Sequence, residues 1–157
     1  MRTNLPVTGR EVSVRKNANI LSTTNLKGQI TYANADFIEI CGYSEAELLG
    51  QPHNLIRHPD MPPAAYADMW STLQAGRPWM GLVKNRCKNG DHYWIDAYAM
   101  PISRDGKVVE YQSVRTKAQP EQIRAAEALY ARAGTPGGLA QGRWRAGFQA
   151  RVAVGGG

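Results

Sequence analysis

The run GQPHNLIRHPDMP, Gly50 to Pro62, places His53, Arg57, His58 and Asp60 in one short stretch. These residue types suit the holding of an anion. Arginine offers a planar fork of donors that matches a phosphate. The histidines can donate to a phosphate or to a ring edge, and Asp60 can accept from a ribose hydroxyl or fix Arg57. Pro59 sets its own φ and biases His58 away from helix, so the run reads as a shaped loop. It lies between two helical apolar patterns, Phe37 to Leu49 and Ala64 to Leu73. Polar groups bracketed by prolines there are poorly placed to build a core and well placed to line a pocket. Taken singly, each also fits a surface ion pair or a cap.

A second constellation lies on the strand expected from Trp79 to Cys87. Side chains alternate along a strand, so Trp79, Gly81, Val83, Asn85 and Cys87 share one face; Met80, Leu82, Lys84 and Arg86 take the other. The second face carries two charges and is expected to be the wetter one. The first then turns toward the helices, with Trp79 near its rim and Asn85 inside an apolar surface. A buried amide needs a partner. A flat, polar-edged ligand stacked on Trp79 and bonded to Asn85 meets that need; so does Asn85 on backbone with Trp79 simply packed. Together with the loop, the first arrangement points to a nucleotide-like cofactor with a phosphate near Arg57, His58 and Asp60.

Other chemistry finds little support. No serine, histidine and acid stand in a nucleophile context, and there is no glycine-rich phosphate loop. The spacing of His53 and His58 matches no familiar metal site. Cys41 and Cys87 are too few for a disulfide framework and read as small buried hydrophobes.

The elements that must position these residues follow from period and punctuation. Ile20 to Asn25 and Gln29 to Ala33 form a hairpin around Lys27-Gly28. Asn34 can cap a helix over Ala35 to Ile40 that stops at Gly42. Ser44 and Glu47 make a capping box for a short helix ending at Gly50. Pro62 opens a longer helix with Tyr66, Met69, Trp70 and Leu73 on one face, closed by Gly76 and Pro78. The period then falls to two: Trp79 to Cys87, His92 to Ser103 and Lys107 to Lys117 form a meander through turns at Asn89-Gly90 and Arg104-Asp105-Gly106. The sum is an α+β chain with a five-stranded antiparallel sheet, its short helices inserted between the second and third strands. Pro120 opens a last helix with Ile123, Ala126, Leu129 and Tyr130 on one face. The expected organisation is an N-terminal cap (1–19), a domain (20–118), a linker helix (119–133) and a flexible basic tail (134–157).

Composition narrows the partners. Half of the +6 net charge comes from Arg143, Arg145 and Arg151 in the tail, leaving +3 on residues 1–133. Nothing there resembles a nucleic-acid stripe. No apolar run approaches a membrane span and no secretory signal opens the chain, so a cytoplasmic domain is expected.

The order of two strands, several short helices and three strands resembles a PAS domain. The segments LSTTNLKGQITYANADFIEICGYSEAELLGQPHN, IRHPDMPPAAYADMW and VKNRCKNGDHYW resemble the N-terminal PAS domain of bacterial aerotaxis receptors, a likeness running over about residues 20–133. That resemblance implies non-covalently bound FAD, a redox or oxygen sensing role without catalysis, and signalling to a HAMP and methyl-accepting region of the same receptor or a partner chain, with a homodimer possible. It assigns Arg57, His58 and Asp60 to the flavin-linked loop, Asn34 and Asn85 to flavin binding or signalling, and Trp79 to the pocket; His53 also stands where the family has histidine. Light-sensing LOV domains carry a reactive cysteine where this chain has His53, so no cysteine adduct is expected. Of the LOV amides, one has its counterpart in Asn85, one becomes Ile95, and the late-strand glutamine falls near Arg115. The receptors continue into a membrane anchor and signalling domain that this chain lacks, so an excised fragment or a free-standing domain is expected. The rival readings are a haem-binding oxygen sensor with His53 or His58 as ligand, and a cofactor-free PAS interaction module.

Overall fold

Two strand blocks, separated in sequence by the helices, meet in one antiparallel sheet. In the computed structural model, which describes residues 4–133, the order is β1 (Ile20–Thr24), β2 (Ile30–Ala33), α1 (Ala35–Cys41), α2 (Glu45–Leu48), a 3-10 turn (His53–Ile56), α3 (Pro63–Gln74), β3 (Trp79–Arg86), β4 (His92–Arg104), β5 (Lys107–Lys117) and α4 (Pro120–Ala133). The sheet runs β2-β1-β5-β4-β3. The last strand is thus the central one, pairing with β1 on one side and β4 on the other. The expected five-stranded antiparallel sheet is observed, and the expected strand bounds lie within a residue of those seen. The tail from residue 134 lies outside the described residues.

Local side-chain chemistry sets the connections. Asn25 accepts from the amides of Lys27 and Gln29, shaping the β1–β2 turn. Asn34 caps α1 by accepting from Phe37 at 3.1 Å, accepts also from Leu21, and donates to the Asn19 carbonyl at 2.7 Å. One amide therefore ties a helix start to β1 and to the segment before it. The capping box of Ser44 and Glu47 is complete. Gly42 ends α1, which is why the apolar pattern from Phe37 to Leu49 forms two short helices rather than one. Between β4 and β5 only Asp105 and Gly106 remain, both at positive φ, the two-residue turn whose twist matches the strands.

The two faces of the sheet are covered differently. α1, α3 and the 3-10 turn lie over one. The other, expected to be wet, is largely covered too: Leu82 and Arg86 are 4% and 6% exposed. α4 crosses it, with the Tyr130 ring stacked on Trp94 and its hydroxyl donating to the Leu82 carbonyl. The segment from Pro6 to Val12 covers the rest. Arg86 donates to the Pro6 carbonyl at 2.8 Å, and Thr8, Arg10 and Val12 bond the backbone of Gly90 and His92. The two charges that suggested a wet face are absorbed by these contacts and by Lys84 pairing with Asp60. Cys41 and Cys87 are buried free thiols.

Losing the Asn34 cap removes an acceptor for two amides. Asn34→Ala is expected to lower stability by about 2 kcal/mol, and Asn34→Asp, which keeps the oxygen, by less. Urea unfolding would show this as a lower midpoint at unchanged m-value.

Candidate functional site

A cavity of about 370 Å³ lies between the helix-facing side of the sheet and a wall made by α3 and the loop around the 3-10 turn. That volume falls within the roughly 300–1,000 Å³ of small-molecule sites. Its floor is open because the facing side chains are small. The register aligns Trp79, Ala99, Ser113 and Ser22 in one row across four strands, and Gly81, Ala97, Arg115 and Ile20 in the next. Alanine, serine and glycine leave a shallow, flat strip where larger residues would meet the helices. Tyr66, Met69, Trp70 and Leu73, the apolar stripe of α3, form the opposite wall. At its mouth the Trp70 ring leans on Gly28, where a Cβ would sit 3.3 Å from the ring. Trp79 is not at a rim: it is 2% exposed, and its indole donates to Asp68 at 2.9 Å, which fixes the ring against the cavity.

The polar loop is held by its backbone. Arg57 and Asn85 form an antiparallel bridge at the outer edge of β3. From the other side, the Asn4 amide donates to the carbonyls of Asn54, Leu55 and Arg57 at 2.8 to 3.1 Å. Thus held, the Arg57 guanidinium lies 4.2 Å over the Tyr66 ring and borders the cavity. Its Nη2 is buried with no hydrogen-bond partner among the described residues. The Asn85 amide, 3% exposed, also borders the cavity, beside the buried hydroxyl of Tyr93.

Of the residues singled out in the sequence, His53, Arg57, Trp79 and Asn85 line this cavity; His58, Asp60 and Asn34 do not. His58 Nδ1 accepts from the Asp60 amide at 3.0 Å, and its ring meets His92 edge-on at 5.6 Å. Asp60 pairs with Lys84 at 2.7 Å, which holds its carboxyl below the usual carboxylate range. These two residues therefore brace the loop from behind. Asn34 acts at the start of α1.

One charged cavity residue stands outside the two constellations and enters the sequence reading only beside the late-strand glutamine of LOV domains. Arg115, in the central strand, is 2% exposed. It donates to Ser22 Oγ at 2.6 Å, His53 Nε2 at 3.2 Å and the Ile20 carbonyl at 3.4 Å, and it lies 4.6 Å over the Phe37 ring. Guanidinium can only donate, so His53 Nε2 is an acceptor and the ring is neutral with its proton on Nδ1. Burial and the Arg115 charge together push the His53 pKa down to about 3. Burial lowers that of Arg115 to about 10. The signal that would have found Arg115 is its phase: it shares the alternation of Tyr111 and Ser113, the residues of β5 that face the helices.

The sequence matches the family profile described as PAS fold over residues 30–115, more than half of its length. The chain belongs to the PAS fold family. It is 53% identical to the aerotaxis receptor of Escherichia coli (strain K12) over 124 residues, covering 79% of this chain and 24% of that protein. It is 33% identical to the nitrogen fixation regulatory protein of Klebsiella pneumoniae over 96 residues, covering 60% of this chain and 19% of that one. This PAS chain thus spans about a quarter or less of the length of these relatives. In fold it is similar to a light-oxygen-voltage domain studied with a flavin analogue (TM-score 0.64, 22% identity, covering 69% of this chain and 83% of the other). It is likewise similar to the dark structure of the blue-light photoreceptor Aureochrome1 LOV (TM-score 0.62, 20% identity, 71% and 81%). No helix among the described residues is long and apolar enough to cross a membrane.

The buried histidines are expected to make this PAS domain acid-sensitive. Burial takes His53 to about 3 and, with Lys84, His58 to about 4, both below the ordinary value of 6.5. Between pH 6.5 and those values the unfolded chain binds protons that the folded one refuses, so stability is full above pH 6.5 and falls with pH, by up to about 1.4 kcal/mol per unit for each histidine. Urea midpoints measured from pH 7 to 4.5 should fall steadily. The fall should be shallower in His53→Gln, whose amide can still accept from Arg115.

Proposed function

We propose that this PAS domain binds a flavin non-covalently, as FAD, and serves as a redox or oxygen sensor that passes the cofactor's state to a signalling region rather than turning over a substrate. The observation that carries the reading is the buried, unpartnered Nη2 of Arg57 at the wall of a flat cavity. Leaving a charged donor buried and unpaired is costly. An acceptor supplied by a bound molecule removes that cost. The strip of small residues suits a planar ring, and the Asn85 amide suits its polar edge. A flavin brings both a ring and a phosphate. It would supply reversible electron uptake; this chain's residues would bind it, orient it and exclude water.

In this reading Arg57, His53, Trp79 and Asn85 touch the cofactor. His58 and Asp60 hold the loop that carries Arg57, and Asn34 fixes the start of α1. The similarity to a protein named aerotaxis receptor supports the sensory role. In this reading the partner is a HAMP and methyl-accepting signalling region of the same receptor or of a partner chain, on the cytoplasmic face of a membrane. Residues 20–118 form the sensory domain, with 1–19 as its cap and 119–133 as its linker. The haem alternative is weakened by His53, whose Nε2 already accepts from Arg115, and by His58, which stands outside the cavity. A cofactor-free interaction module leaves the Arg57 donor without a role.

The test is an absorption spectrum of the purified protein before and after dithionite. Flavin bands that bleach are expected; a single haem Soret band, or colourless protein that takes up no FAD, would sink the reading. Arg57→Ala should weaken FAD binding at least tenfold, and His58→Ala by less, with the fold retained by circular dichroism. Ala99→Leu, which raises the cavity floor, should block FAD uptake in a protein that still folds. Unchanged affinity in both Arg57→Ala and Ala99→Leu would place the cofactor elsewhere.

A further inference from the structure

A buried arginine is ordinarily paired with a carboxylate, because its charge is costly to remove from water. Arg115 departs from that. Its recorded partners are a hydroxyl, a neutral imidazole and a backbone carbonyl, and no carboxylate pairs with it among the described residues. The nearest opposing influences are the Tyr93 hydroxyl and the Cys41 thiol, and burial pushes both groups toward their uncharged forms. The interior therefore carries the Arg115 charge with no carboxylate beside it among the described residues. The three bonds use three of the five guanidinium N–H groups. Two remain, on a side chain that borders the cavity. His53, beside it, has its Nε2 engaged and keeps a proton on Nδ1, so the pair presents donors only.

We propose that Arg115, braced by Ser22 and His53, forms a donor-only cationic subsite on the sheet side of the cavity that prefers the negatively charged state of a redox-active heterocycle over its neutral state. The inference rests on the flavin reading and adds to it a residue that sets redox poise. When an external reductant adds an electron to the bound ring, the negative charge is held against Arg115. The subsite surrenders no proton: guanidinium does not deprotonate in this range, and the His53 proton stays on Nδ1. A fixed charge in a low-dielectric interior acts strongly on such a change. Arg115 is also distinct in task from Arg57, whose guanidinium sits on the Tyr66 ring at the loop wall.

The test is the midpoint potential of flavin-loaded protein, titrated with dithionite against reference dyes, alongside the affinity for oxidised FAD. Arg115→Gln is loaded with FAD at saturating concentration, so that any loss of affinity for the oxidised form is read separately from the potential. Its preference for the reduced form should fall at least tenfold, a lowering of about 59 mV for a one-electron couple. Arg115→Lys, which keeps the charge, should restore most of the potential; a merely structural arginine would give no such ordering. Should Arg115→Gln not fold, Ser22→Ala removes only the brace and should shift the potential the same way by a smaller step. Flavin-loaded Arg115→Gln, or Ser22→Ala in its place, with wild-type potential overturns the subsite and leaves the flavin reading standing. A wild-type protein that takes up no flavin overturns the flavin reading and the subsite with it.

Discussion

The bridge between Arg57 and Asn85 is the contact on which the cavity wall hangs. β3 is the last strand of the sheet, and its outer edge exposes backbone groups that must be paired or covered. The chain covers that edge with its own loop. Arg57 pairs with Asn85, the Lys84 amide meets the Met61 sulfur, and the Lys84 ammonium meets Asp60. A single arrangement thus closes the sheet edge and aims Arg57 at the cavity. The proline spacing follows from the same need. Pro59 and Pro62 hold this stretch out of helix: Arg57 and Pro62 are extended, and a turn at Pro59-Asp60, closed by the Met61 amide on the His58 carbonyl, lies between them before α3 begins.

What keeps the cavity open is the other half of the problem. A sheet face roofed by helices ordinarily fills with large side chains to native density. Here Gly81, Ala97, Ala99, Ser113 and Ser22 stand in two adjacent rows, with Arg115 as the long side chain among them, and large aromatics are fixed around the strip: Trp79 locked by Asp68, Tyr66 under Arg57, Trp70 against Tyr111. The polar groups on the walls resist collapse in their own way. Filling the cavity with apolar side chains would bury the spare donors of Arg57 and Arg115 without an acceptor, which costs free energy.

The sheet itself was legible because its signals are local. Period-two alternation, Asn-Gly and Asp-Gly turns, an Asn cap and a capping box each act over a few residues, and each is seen where the pattern put it. The phase of β3 was legible for the same reason: alternation alone put Val83 and Asn85 on the cavity side. Cover for the opposite face was not, because it comes from Pro6 and Tyr130, eighty and forty-eight residues away from the groups they bond. The loop was legible in composition and not in direction. Arg57 and His58 are neighbours, yet an extended backbone sends successive side chains to opposite sides, so one borders the cavity and the other packs on His92. The phase of β5 could have put Arg115 on the cavity side, but its partners could not be read locally: Ile20 and Ser22 come by strand pairing and His53 from the 3-10 turn.

The same alternation links the cavity to the far side of the sheet. In β3, Val83 and Asn85 face the cavity while Leu82 between Gly81 and Val83 lies beneath α4. In β4, Ile95 and Ala97 face the cavity while Trp94 stacks on Tyr130. A strand is stiff along its axis, and its paired neighbours share its register. A change of hydrogen bonding at Asn85 that shifts β3 therefore moves the Leu82 carbonyl, the acceptor of the Tyr130 hydroxyl. α4 is joined directly to β5, the strand that carries Arg115. The helix leaving the domain thus meets the cavity twice, once through the strand before it and once through the hydroxyl it sets on β3. A ligand that changes charge can bias such an element only by as much as its contacts differ between the two states. In the proposed reading the groups that make that difference are Asn85, on the strand whose Leu82 carbonyl accepts from α4, and Arg115, on the strand that runs into α4.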